Sequence, residues 1–160
     1  MEPLNVFEYE VLARERMDPV YWDFYAGGSD EEVTLRANQA DFARIHLRPR
    51  MLVDVTRCDT STSVLGLPVP MPILVAPTSM HCLAHPEGEC ATAQGAGAAG
   101  TLMIASTDAT RPLEEIAQAA SGAHGVQQIL EILHIELERA MKLAGCPTIA
   151  SINRSLVQLT

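Results

Sequence analysis

Apolar residues recur along this chain in three rhythms, and each predicts a different element. Near the C-terminus, Val126, Ile129, Leu130, Leu133, Leu137, Ala140, Met141 and Ala144 fall at helical spacing. They predict one long amphipathic helix whose apolar stripe faces a core. Gly145 at its C-cap and Pro147 just beyond mark the stop. In the middle of the chain the apolar residues run without a break. Residues 72–76 and 101–106 are short continuous runs, and they predict buried strands of a parallel sheet. An Ala-rich helix over 87–99 separates them. Another helix opens at Pro112, with Glu114 and Glu115 in its first turn. The order strand, helix, strand, helix is a βαβα unit.

The N-terminal third predicts short helices. Asn5 caps the first, and Glu8 is placed to reach back. Asp18 caps the second and Pro19 takes its first turn, where a missing N–H costs nothing. That helix is expected to bury Val20, Tyr21 and Phe24 and to end at Gly27-Gly28. A third is expected to start at Ser29, with Glu32 three residues on and Val33, Ala37, Ala40 and Ile45 as its apolar face. From His46 to Pro70 the pattern is irregular, with short extended pieces and a turn at Gly66-Leu67-Pro68.

Composition narrows the function classes. The 160 residues are 48% hydrophobic and 19% charged, which is ordinary for a globular domain. A formal net charge of −9 repels phosphate backbones and anionic lipid, so no nucleic acid and no membrane surface is expected as a partner. No apolar run approaches the ~20 residues a membrane span needs. The polar, acidic first ten residues do not read as a secretory signal. Cys58, Cys82, Cys90 and Cys146 form no C-x-x-C pair and read as reduced intracellular thiols.

Three motifs carry candidate chemistry. Gly95, Gly97 and Gly100 spell G-x-G-x-x-G. A dinucleotide fingerprint needs a strand leading in and a helix following. Here the helix leads in, so the glycines read as small residues that pack a helix end against a sheet. His81, Cys82, His85 and Cys90 cluster with Glu87 and Glu89, but Pro86 interrupts the helical face a metal pair would need, and no metal site is assigned. Pro77, Thr78 and Ser79 directly follow the first apolar run, and Ser106 closes the second. In a β/α barrel these are neighbouring strand ends on the ligand-binding face. Strand-end capping is the competing account of the same residues.

Several stretches together resemble one family. Asn5-Val6-Phe7-Glu8-Tyr9-Glu10, Tyr25-Ala26-Gly27-Gly28, Arg48-Pro49-Arg50-Met51-Leu52-Val53-Asp54-Val55, Ala76-Pro77-Thr78-Ser79-Met80 and His85-Pro86-Glu87-Gly88-Glu89 are similar to the N-terminal part of glycolate oxidase and its relatives. These are the FMN-dependent 2-hydroxy-acid oxidases and dehydrogenases. Gly125-Val126-Gln127-Gln128-Ile129-Leu130 and Gly145-Cys146-Pro147-Thr148-Ile149 resemble the last helices of the same enzymes. Residues 1–123 and 124–160 are therefore expected to be two separated parts of a single such domain, joined directly at about Ala123 to Gly125.

The resemblance implies an α/β fold: a partial (β/α)8 TIM barrel with an N-terminal helical segment, few parallel strands and C-terminal helices. A full barrel takes ~250 residues. It implies FMN as cofactor and small 2-hydroxy acids as substrates. It also implies that Pro77, Thr78 and Ser79 meet the flavin ring through their backbone and that Ser106 lies near its pyrimidine side. Phe24 falls at a substrate-pocket position that is tyrosine in glycolate oxidase, which tilts the substrate toward larger hydroxy acids. The family's histidine base, carboxylate-binding arginine, lysine and phosphate loops have no counterpart motif here, so no catalytic residue is assigned. Two expectations follow. One is the family's oxidation of (S)-2-hydroxy acids to 2-oxo acids with peroxide formation. The other is a catalytically inactive truncated variant that associates with its own copies or with full-length subunits. The family implies a peroxisome, whereas Gln158-Leu159-Thr160 is not an S-K-L-type address and leaves the cytoplasm as the expected default.

Overall fold

The computed structural model of the protein describes residues 3–120 and 125–159. Ala123 and His124, at the expected junction, lie outside the described residues. The helices are α1 (Val6–Arg16), α2 (Pro19–Ala26), α3 (Val33–Ala40), α4 (Glu89–Ala98), α5 (Leu113–Ala119) and α6 (Gly125–Leu143). The strands are β1 (Ile45–Leu47), β2 (Thr62–Val64), β3 (Leu67–Val69) and β4 (Val157–Leu159). Among the described residues no helix is long and apolar enough to cross a membrane. The chain divides into two compact units, one of Met1–Met17 with Ser61–Glu136, the other of Asp18–Thr60 with Leu137–Thr160.

In the first unit, α1 begins where the sequence places it. The Asn5 side chain accepts the Glu8 N–H at 3.1 Å, and the Glu8 carboxylate returns to the Leu4 N–H at 2.8 Å and the Asn5 amide at 3.0 Å. The core joins Met71, Ala96 and Leu130, with Ile73, Val75, Met103 and Val126 packed on it. Burying a leucine such as Leu130 contributes roughly 1.5–3 kcal/mol. β2 and β3 form an antiparallel hairpin, and its two turn residues, Leu65 (φ 51°) and Gly66 (φ 81°), are both left-handed, as a type I′ turn requires.

The expected parallel strands are present only as a single bridge between Val75 and Met103. Two hydrogen bonds make it, Val75 N–H to Leu102 O and Ile104 N–H to Val75 O, both 3.0 Å. The reason is local. Pro77, two residues on and facing the same side as Val75, has no N–H to extend the ladder, and the Thr101 hydroxyl occupies the Ile73 carbonyl at 2.5 Å in place of a backbone amide. The G-x-G-x-x-G glycines sit inside and just after α4. A Cβ on Gly95 would overlap Val126, and one on Gly97 would overlap the Ala120 carbonyl oxygen. Gly95 and Gly97 are therefore needed for close packing, but against α6 and the end of α5 rather than against a sheet, and Gly100 instead supplies a left-handed residue (φ 72°) just after α4.

The second unit has its core at Met141, Ala144, Cys146 and Leu156, flanked by Cys58, Leu137 and Ile149. The apolar stripe of α6 thus serves both cores, Val126 and Leu130 the first, Leu137 and Met141 the second. α6 ends in a Schellman motif. Cys146 N–H reaches Met141 O at 2.8 Å and Gly145 N–H reaches Lys142 O at 3.2 Å, with Gly145 at φ 64°. β1 pairs antiparallel with β4, Ile45 opposite Leu159 and Leu47 opposite Val157.

Two expectations for this unit need correction. α2 is capped by Asp18, whose carboxylate accepts the Val20 N–H at 2.8 Å, but it buries nothing; Val20 is 72% exposed. A stripe at helical spacing reports a preference for burial, and burial still needs a facing surface. α3 starts at Val33 rather than Ser29, because Glu32 is left-handed (φ 54°) and closes a turn onto Ser29 O at 3.0 Å. The Glu32 carboxylate then holds the Gly28 N–H at 3.1 Å, and Ile45 belongs to β1. Because α2 has little packing to fall back on, Asp18→Ala is expected to cost about 1 kcal/mol. Urea denaturation followed by far-UV circular dichroism measures it.

Candidate functional site

The Val75–Met103 bridge sets two strand ends side by side. From the first end the chain runs through Pro77, Thr78 and Ser79; from the second it reaches Ser106. The Ser79 and Ser106 hydroxyl oxygens stand 3.4 Å apart and are half-buried. Ser106 Oγ also accepts the Asp108 N–H at 3.1 Å. Pro77 and Thr78 are exposed, and Thr78 Oγ1 donates to Ala76 O at 3.4 Å. The structure therefore brings the four strand-end residues to one place. Paired hydroxyls can each donate and accept, which suits a planar heterocycle whose edge alternates the two. The residues present fit that one edge of a flavin.

Behind the hydroxyl pair the two strand-end loops are tied together. Met80 N–H reaches Asp108 O at 3.1 Å, and Met80 itself is left-handed (φ 60°), an uncommon state for a non-glycine residue. The main tie is Glu89, the first residue of α4, whose carboxylate is fully buried. Its Oε1 accepts the His81 N–H at 3.0 Å and the Thr110 N–H at 2.9 Å; its Oε2 accepts the Thr110 hydroxyl at 2.7 Å. Thr110 Oγ1 in turn accepts the Cys82 N–H at 3.1 Å. Burial pushes the Glu89 pKa up from its ordinary 4.5. The hydrogen bonds from Thr110, from its own amide and from His81 outweigh that and hold it at about 2.

In the sequence Glu89 stands out as a neighbour of histidines and as the end of a family-like stretch, without a role, and Thr110 does not stand out at all. The available signal was a carboxylate directly after Gly88 at a helix start. Gly88 is at φ 54°, and a Cβ there would lie 2.5 Å from Cys82 Sγ. Only glycine lets α4 begin this close to the loop.

The histidine and cysteine cluster has other partners. His81 Nδ1 is 3.0 Å from Thr92 Oγ1, and the Cys82 thiol donates to Pro86 O at 3.8 Å. Among the described residues no group of three His, Cys, Asp or Glu is arranged to hold a metal. Burial pushes the Cys58 and Cys90 thiols up, away from the thiolate a nucleophile needs. Phe24 lies in the second unit, 56% exposed, with its ring edge-on to Tyr25 at 5.1 Å.

The chain is similar to proteins of known class. An L-lactate oxidase of Nostoc sp. is 51% identical over 119 residues, 74% of this chain and 33% of the relative. A peroxisomal (S)-2-hydroxyacid oxidase of Arabidopsis thaliana is 47% identical over 124 residues, 78% of this chain and 34% of the relative. The crystal structure of a lactate oxidase from Pediococcus acidilactici superposes with a TM-score of 0.72 at 32% identity, covering 75% of this chain and 33% of that one. The chain spans about a third of the length of these relatives. The βαβα order and the Val75–Met103 bridge are accordingly part of a (β/α)8 barrel. The sequence model for FMN-dependent dehydrogenases matches in two stretches, residues 13–122 and 116–159, which together take in both the strand-end hydroxyls and the Schellman-capped tail helix. On that match, and on the fold and site that accompany it, the chain belongs to the FMN-dependent dehydrogenase family.

Proposed function

We propose that this chain is a form of FMN-dependent 2-hydroxy-acid oxidase that keeps the surface for one edge of the flavin ring and does not turn over substrate by itself. The observation that carries the first half is the Ser79–Ser106 hydroxyl pair, 3.4 Å apart at two bridged strand ends. When bound, FMN accepts the two electrons that leave the substrate's α-carbon. Toward it, the chain's own residues offer the backbone of Pro77 to Ser79 and the Ser106 hydroxyl. The second half is supported by what the sequence does not carry. No motif supplies a histidine base or an arginine for bidentate grip on the substrate carboxylate. The family match also passes from residues 13–122 straight into 116–159, although the relatives are about three times as long as the matched part. On this reading the two matched stretches derive from one domain whose middle is absent.

On this reading the natural substrates of the parent enzyme are 2-hydroxy acids. Phe24, lacking a phenol to donate to the carboxylate, favours the larger ones. The location is that of the peroxisomal relative. Association with further copies or with full-length subunits belongs to the same proposal, supported by Ile104, which is 51% exposed next to the bridge where a barrel would continue. The test is to purify the chain, titrate it with FMN while following flavin fluorescence and the visible spectrum, and assay peroxide release with lactate and longer 2-hydroxy acids. The expected outcome is weak flavin uptake with no peroxide above the free-flavin control. Peroxide formation that depends on the hydroxy acid would restore the full oxidase reading. No flavin uptake would remove the proposal altogether.

A further inference from the structure

The geometry points to Glu89 as a positioning residue: its carboxylate locks the loop after Ser79 to the loop after Ser106, and so sets the spacing of the two flavin-edge hydroxyls. The inference rests on the reading above for what the hydroxyls meet, but the lock itself is independent of it. Three bonds reach Glu89 from two loops that the sequence separates, His81 N–H from one, Thr110 N–H and Oγ from the other. His81 is two residues from Ser79, and Thr110 is four from Ser106. Thr110 Oγ1 closes the circuit by accepting the Cys82 N–H at 3.1 Å, so one hydroxyl donates to the carboxylate and accepts from the opposite loop. The carboxylate sits at the first residue of the ten-residue α4, where the helix dipole favours negative charge.

An acceptor-only group with two oxygens is what these donors need. Glutamine retains one oxygen for the two amides, but its NH2 faces the Thr110 hydroxyl, which must then reverse its role. Alanine retains nothing and leaves buried donors unpaired.

The experiment is amide hydrogen exchange by NMR on the full chain, wild type against Glu89→Gln and Glu89→Ala. Exchange at His81 and Thr110 is expected to rise together, by about tenfold or more in the alanine variant, the loss of one hydrogen bond's protection. A smaller joint rise is expected in the glutamine variant. Amides at the C-terminal end of α6 should not change. If the alanine variant does not fold, the glutamine variant decides. Unchanged exchange at both sites, or a response at one loop alone, overturns the lock. FMN titration supplies the second arm. If wild type takes up FMN, Glu89→Gln should weaken uptake about tenfold at an equal folded fraction, and equal uptake overturns the positioning role. If wild type takes up none, the flavin reading falls while the exchange result still judges the lock.

Discussion

Gly95→Ala is expected to destabilise the unit built from Met1–Met17 and Ser61–Glu136 by about 3 kcal/mol, the upper end of overpacking costs. Two effects oppose each other. Alanine in the middle of α4 gains about 1 kcal/mol over glycine from helix propensity. Against that, the added Cβ would overlap Val126 Cβ and come within 3.1 Å of the Gln127 nitrogen and the Val126 Cα. Gly95 is buried, and its neighbours are backbone of α6, which cannot swing aside as the end of a long side chain can. The steric effect therefore wins. Gly97→Ala is expected to cost at least as much, because its Cβ would overlap the Ala120 carbonyl oxygen, which is also backbone. Urea denaturation of both variants, with the single tryptophan and far-UV signals followed together, gives the ranking. A neutral Gly95→Ala would mean that α6 does not pack on α4, and with it would go the idea that the tail stretch covers the N-terminal stretch as the end of a barrel covers its beginning.

Acidification is expected to remove on the order of 1–2 kcal/mol of stability through Glu89, the shift in its pKa discounted for solvent screening. Its pKa is held at about 2 in the folded chain against an ordinary 4.5. A depressed carboxylate stabilises the fold fully above the unfolded value and loses that contribution as pH falls through the folded one. The window is thus from about pH 4.5 down to about pH 2. The carboxylate has no accessible surface of its own, but Thr110 is exposed and His81 only half-buried, so nearby solvent screens the interaction and lowers the figure below the full shift. Chemical denaturation at a series of pH values should show the slope, and Glu89→Gln should flatten it in that window. A slope that survives the substitution would assign the acid sensitivity elsewhere.

Much of the local structure was legible because its causes lie close together in sequence. The Asn5 and Asp18 caps, the Schellman stop at Gly145 and the stripe of α6 each depend on residues within one or two helical turns. Order alone excluded the dinucleotide reading of Gly95, Gly97 and Gly100. Where a local signal misled, another local feature displaced it. Glu32 pairs with Gly28 rather than capping a helix from Ser29, and Pro77 with the Thr101 hydroxyl cuts the parallel ladder to one bridge.

The strand-end residues Pro77, Thr78, Ser79 and Ser106 were found from position, since a turn that directly follows an apolar run tends to lie at a sheet edge. Their partners were not. Glu89 and Thr110 are 21 residues apart, and nothing in either neighbourhood specifies the other. The pairing of β1 with β4 joins residue 47 to residue 157, again with no local mark.

By itself the sequence determined the family, the helices with their caps and the strand-end position of Ser79 and Ser106, because periodicity, capping and motif identity are written residue by residue. Only the tertiary structure decided that a buried carboxylate ties the two strand-end loops, that α2 leaves its apolar face in solvent, and that one helix serves two cores. Those outcomes turn on which surfaces and donors meet across long stretches of chain, and the free energy of such a meeting belongs to both partners at once.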